Sequence, residues 1–195
     1  MTTPKRIGVY GGTFDPIHNV HLEIARAARG CAALDVVLFV IAARPPHKAN
    51  ATFASPENRI AMVQAAVCGE AGMDYSCLEF NREGPSYTGQ TLVELHGQFP
   101  GSELFLIIGM DSLVDLPKWR DPEIILEHAE LLVLPRPGSG TAQSDMATAK
   151  FRMIPFQETD LSSTEVRERI ARGERIDDLV PGAVERLIHD RGIYE

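Results

Sequence analysis

Basic residues are in short supply: 19 Lys and Arg face 27 Asp and Glu in 195 residues, a formal net charge of −8. A bare acidic surface repels phosphate backbones and anionic lipid heads, which argues against nucleic acid and membranes as partners. Long apolar runs are missing as well. The longest, Val36–Ala43, has eight residues, against the ~20 that a spanning helix needs. The opening Met1-Thr2-Thr3-Pro4-Lys5-Arg6 leads into no signal-peptide core. Cysteines are few and odd in number; Cys31, Cys68 and Cys77 form no close pair. That suits a reducing compartment better than a disulfide framework, so a cytoplasmic protein is expected.

What is present is ordinary for a globular chain. With 44% hydrophobic and 24% charged residues, disorder, collagen-like repeats and fibrous structure are excluded. The length predicts one domain, residues 1–195, with a small helical C-terminal part from about 162. Strand-like runs occur at Arg6–Tyr10, Val36–Ile41, Tyr75–Phe80, Glu103–Gly109 and Leu131–Leu134. Between them, helices are expected over His21–Arg29 (stopped by Gly30), from Ser55-Pro56-Glu57 to about Val67, and over Thr88–Gln98. Others start at Asp121-Pro122-Glu123, run from Ser162 to about Arg172, and close the chain over Pro181–Asp190. Gly138–Thr148 is small and polar, a surface loop. Strands alternating with helices define an α/β fold: a Rossmann-like, doubly wound parallel sheet flanked by helices. In such sheets ligands sit beyond the carboxyl ends of the strands.

The first strand ends in Gly11-Gly12-Thr13-Phe14-Asp15-Pro16-Ile17-His18-Asn19-Val20-His21. Two glycines allow a tight turn and leave main chain bare for a ligand, and the helix that follows presents free N–H groups to an anion. The spacing matches neither the dinucleotide fingerprint nor the P-loop. His18 and His21, three apart, bring two rings to one helix face, where they serve as neutral donors or mobile cations to phosphate oxygens. Two other readings stay open on these residues alone. His18 could cap a turn while His21 packs in the core, or Asp15, His18 and His21 could be metal ligands.

Taken together, the stretch resembles the Gly-Gly-x-Phe-Asp-Pro-x-His-x-Gly-His signature of the nucleotidylyltransferase superfamily, departing at Val20, where the family has glycine. Valine there is expected to crowd the nucleotide. Ser162-Ser163-Thr164-Glu165-Val166-Arg167 is similar to the family's second motif; locally it also reads as a capping box that opens a helix. Three further segments resemble bacterial nicotinate-nucleotide adenylyltransferases. They are Pro45-Pro46-His47-Lys48, Ser86-Tyr87-Thr88-Gly89-Gln90-Thr91 (with Gln90 where aspartate is commoner), and Gly109-Met110-Asp111-Ser112-Leu113 followed by Trp119.

The resemblance implies adenylyl transfer from ATP to nicotinate mononucleotide. It assigns His18, His21, Lys48 and Arg167 to catalysis. Gly11, Gly12, Thr13, Phe14, Gly109, Asp111, Ser162 and Ser163 join the histidines and Arg167 around ATP. Lys48, Tyr87, Thr88, Trp119 and Arg136 are implied to hold the acceptor, with Trp119 stacked on its pyridinium ring. Mg²⁺ is expected to arrive with ATP, bound by phosphate oxygens and water rather than by a cage of carboxylates. Other acceptors (nicotinamide mononucleotide or phosphopantetheine), a non-catalytic nucleotide sensor and a homo-oligomer remain open.

Overall fold

The computed structural model describes residues 4–45, 52–135, 151–157 and 161–195. Pro46, His47, Lys48, Arg136 and the 138–148 loop lie outside the described residues. Six strands form one sheet: β1 (Arg6–Gly12), β2 (Val36–Ile41), β3 (Met73–Ser76), β4 (Glu103–Gly109), β5 (Ala129–Leu134) and β6 (Phe151–Met153). Their order is β3-β2-β1-β4-β5-β6 and every neighbouring pair is parallel. Strand order reverses between β1 and β4, so the connections leaving their carboxyl ends diverge and open a crevice.

The described helices are α1 (Asn19–Ala32), α2 (Pro56–Val67), α3 (Thr88–Gln98), α4 (Met110–Asp115), α5 (Pro122–His128), α6 (Ser163–Ala171) and α7 (Gly182–Arg191). Side chains alternate across a strand, and the core divides accordingly. Val37, Phe39, Ile41, Phe105, Ile107 and Leu132 pack on one face with α1, α2, α6 and α7. Leu38, Val40, Leu104, Leu106, Ile108, Leu131 and Val133 pack on the other with α3, α4 and α5. Cover on both faces is why β2 and β4 read as unbroken apolar runs. On β1 a Cβ at Gly8 would lie 2.7 Å from Leu34 Cδ1; glycine there lets the loop after α1 close on bare main chain.

Several boundaries differ from the sequence reading. Gly30 does not stop α1, which continues to Ala32 and ends at Ala33, in the left-handed region at φ 47°. The buried alanines Ala25, Ala28 and Ala32 hold that helix against the sheet, outweighing the ~1 kcal/mol cost of an internal glycine. The third strand sits earlier than Tyr75–Phe80, and a 3-10 turn over Leu78–Asn81 takes the remainder. β6 is an edge strand of three residues, two of them exposed, and its single Phe-Arg-Met alternation is too short to mark a strand. The C-terminal helices bring Val166, Ile176, Leu179, Val180, Val184, Ile188 and Ile193 into the first core cluster.

Candidate active site

Gly11 and Gly12 do not form the expected tight turn. They extend β1, paired with Val40 and Ile41 of β2, and the chain turns two residues later at Phe14, where φ is +48°. A left-handed phenylalanine is strained. Burial of its ring against Tyr10, Phe39 and His21, at centroid distances of 5.8, 5.5 and 5.2 Å, holds it there. A Cβ on Gly11 would meet nothing within 4 Å, so this glycine leaves open space beside the strand end.

Asp15 follows, 3% exposed. Its carboxylate accepts from the Phe53 and Ala54 N–H groups, at 2.6 and 3.1 Å, and from the Tyr194 hydroxyl at 2.6 Å. It therefore ties three parts of the chain together and is committed to protein donors, not presented as a metal ligand. Burial and the Asp15 carboxylate push the Tyr194 phenol well above its usual range.

His18 occupies the N-cap of α1 in extended backbone, and His21 is the third residue of the helix. The His18 N–H donates to His21 Nδ1 at 3.1 Å. His21 Nδ1 is thus the bare nitrogen, and the ring proton of the neutral form lies on Nε2. The two rings are nearly stacked, with centroids 3.7 Å apart and planes 30° apart. Burial pushes the His18 imidazole down to about 4. Burial, and then the neighbouring His18, hold His21 well below the usual range. Of the two forms expected, the neutral donor is the one this geometry keeps.

Both histidines border a cavity of about 610 Å³ at the end of β1. Gly11, Gly12, Thr13 and Phe14 line it from the β1 side, and Gly109 and Asp111 from the start of α4. Ser162, Ser163 and Arg167 line it from α6. Ser162 Oγ accepts from the Glu165 N–H at 3.2 Å and Ser163 Oγ donates to Pro16 O at 2.8 Å. The Ser163 O–H is thus spent on Pro16, whereas Ser162 only accepts and keeps its O–H for an anion, beside the main-chain N–H groups and the helix dipole. Only half of the capping box forms, because the Glu165 carboxylate pairs with Arg169 at 3.1 Å instead. Arg167 Nη1 donates to Asp15 O at 2.7 Å and Nη2 to Thr164 Oγ1 at 3.1 Å, with its Cζ 4.2 Å from the centroid of the Phe53 ring. Val20, 9% exposed, sits at the edge of this cavity while packing into the first core cluster.

A second cavity, about 570 Å³, shares Gly11, Gly12, Thr13 and Ser112 with the first. Tyr87 and Thr88, at the N-terminus of α3, and half-buried Trp119 line it. Arg120 stacks on the Tyr87 ring at 4.6 Å. Every described residue singled out for ATP thus borders one cavity, and every described one singled out for the acceptor borders the other. Lys48 and Arg136 are outside the described residues.

Arg59 and Tyr194 escaped the sequence reading. Arg59, 1% exposed, donates from Nη1 to Thr13 O at 3.1 Å and Ala42 O at 2.7 Å, pinning the ends of β1 and β2. Its signal was available: it shares a helical stripe with Met62, Val63 and Ala66, all of them buried. Nothing local marks Tyr194.

The class that this fold and site define is cytidylyltransferase-like: residues 9–169 match the family of that description. A Gloeobacter violaceus protein named "Probable nicotinate-nucleotide adenylyltransferase" is 42% identical, over 98% of this chain and 97% of its own. A Thermus thermophilus protein of the same name is also 42% identical, over 97% and 99%. The chain belongs to the nicotinate-nucleotide adenylyltransferase family. In fold it is similar to the Plasmodium falciparum nicotinic acid mononucleotide adenylyltransferase complexed with NaAD, with a TM-score of 0.80, 18% identity and 97% of each chain covered.

Proposed function

We propose that this enzyme transfers the adenylyl group of ATP to nicotinate mononucleotide, giving deamido-NAD and pyrophosphate in NAD biosynthesis, with ATP in the histidine cavity and the acceptor in the Trp119 cavity. The observation that carries this division of labour is the shared wall. The two cavities meet at Gly11-Gly12-Thr13 and Ser112, so a phosphate from one side can face a phosphate from the other.

In the reaction an oxygen of the acceptor's phosphate attacks the α-phosphorus in line. The new P–O bond forms as the bond from the α-phosphorus to the bridging oxygen breaks, and pyrophosphate leaves with that electron pair. The attacking phosphate is already ionised near neutral pH, so no protein nucleophile is needed; the work is positioning and charge stabilisation. His18 and His21 donate neutral N–H groups to the α-phosphate. The start of α6 and Arg167 draw the departing pyrophosphate, with Lys48 assigned the same task from its motif alone. On the acceptor side the α3 N-terminus at Tyr87-Thr88 suits a carboxylate, Trp119 offers an aromatic face to the pyridinium, and Arg136 is assigned to the acceptor's phosphate.

Mg²⁺ would be held by triphosphate oxygens and water, with Asp15 already committed to protein donors. When bound it would neutralise triphosphate charge.

The test is an acceptor panel with ATP and Mg²⁺, following pyrophosphate release. Nicotinate mononucleotide should be used in clear preference to nicotinamide mononucleotide and phosphopantetheine. Preference for either of those overturns the assignment.

A further inference from the structure

The acceptor cavity holds a buried carboxylate that the mechanism above leaves idle. Glu79, in the 3-10 turn after β3, is 7% exposed and borders that cavity. Its Oε1 accepts from the Thr91 hydroxyl at 2.5 Å and lies 3.4 Å from Arg82 Nη2. Arg82 also donates to Thr91 Oγ1, at 2.8 Å, and to Glu94, at 3.2 Å. This network straps the 3-10 turn to the first turn of α3 and fixes the carboxylate in place. The second oxygen, Oε2, is buried with no hydrogen-bond partner among the described residues. A buried carboxylate oxygen without a donor is costly, and such a group calls for an explanation.

The chemistry of the acceptor narrows what could satisfy it. Nicotinate mononucleotide near neutral pH carries an ionised carboxylate, an ionised phosphate and a ring nitrogen bonded to carbon on all sides. The O–H groups it has left to donate are its ribose hydroxyls. We propose that the Glu79 carboxylate turns Oε2, closed to solvent in this structure, toward the cavity it borders and accepts there a hydrogen bond from a ribose hydroxyl of the acceptor nucleotide, an inference that rests on reading this cavity as the acceptor site. The same negative charge repels both anionic ends of the molecule. It thereby keeps both ends off Glu79 and leaves the uncharged sugar there, while the α3 N-terminus and the histidine cavity decide which end lies on which side.

The test uses nicotinate mononucleotide and its 2′-deoxy and 3′-deoxy forms as acceptors at saturating ATP, in the wild type and in Glu79→Gln. The wild type should lose about 10- to 100-fold in kcat/KM on one deoxy acceptor, the range of a hydrogen bond to a charged group. Glu79→Gln should fall by a similar factor on the ribose acceptor, discriminate the deoxy form by less than about threefold, and keep its KM for ATP. Equal use of all three acceptors by the wild type overturns the proposal, and this arm needs no variant that folds. Wild-type discrimination retained in Glu79→Gln overturns it too. So does a Glu79→Gln effect seen only when nicotinamide mononucleotide is added as a fourth acceptor and compared with the nicotinate form, which would put Glu79 at the ring substituent. Failure of the wild type to use nicotinate mononucleotide at all is a different result: it removes the functional reading itself.

Discussion

His18 and His21 sit with ring centroids 3.7 Å apart, a separation at which two imidazolium charges repel strongly in a buried site. In the proposed reaction the pair therefore works as neutral donors, and its value lies in being fixed before charge builds on the transferring phosphate. His18→Ala should lower kcat by at least about 100-fold, the loss seen when one pre-aimed transition-state donor is removed. Thermal unfolding should change little by comparison, because the ring leaves one nitrogen, Nδ1, buried and without a partner among the described residues. Turnover near the wild-type rate would remove His18 from the mechanism. At this scale the spacing of three was legible and the contact it makes was not. That His21 Nδ1 would accept the His18 N–H, fixing the tautomer, depends on the extended backbone of an N-cap histidine. Glu79 was hidden for a related reason: its partners Arg82 and Thr91 lie on two different elements, and a single chain position says nothing of that.

Elements whose ends carry chemical punctuation were readable to within about a residue. The Ser55-Pro56 start of α2 is confirmed by the Asn58 N–H donating to Ser55 Oγ at 3.3 Å, and Gly192 caps α7 in the left-handed region. Where tertiary packing decided, the reading failed: α1 ran through Gly30, and β6 formed on an edge from three residues, too few to show a pattern. Val20 belongs to this scale too. The expectation was a valine that crowds the nucleotide, yet its side chain packs into the first core cluster at the second position of α1. Val20→Gly should therefore cost about 2–3 kcal/mol of stability, from lost burial plus the helix penalty of glycine. KM for ATP should stay within about twofold, because the removed methyls support the helix more than they fill the cleft. Chemical denaturation and steady-state kinetics on the same preparation measure both. A markedly lower KM for ATP would restore crowding as the meaning of this position.

For the whole molecule, the order β3-β2-β1-β4-β5-β6 sets two cavities side by side, and the chain's penultimate residue closes the arrangement, Tyr194 reaching Asp15 at 2.6 Å. Holding neutral histidines inside such an assembly has a consequence for stability. The His18 pKa is about 4 in the folded protein against an ordinary 6.5, and His21 is shifted in the same direction. Between those values the unfolded chain binds the proton and the folded one does not, so stability falls as pH drops through this window and is flat above it. From His18 alone the loss between about pH 7.5 and pH 5 should be on the order of 2 kcal/mol. The lowered carboxylates of Asp35, Glu57, Glu174 and Asp177 act with the same sign only at more acidic pH. Acid unfolding should accordingly begin well above the carboxylate range. Urea denaturation at several pH values gives the slope, and His18→Gln, neutral throughout, should flatten it without abolishing the part due to His21. A wild-type stability that stays level from about pH 7.5 to pH 5 would mean that these imidazoles titrate as freely in the folded protein as in the unfolded chain, and that the site meets the α-phosphate with mobile charge instead of fixed neutral donors.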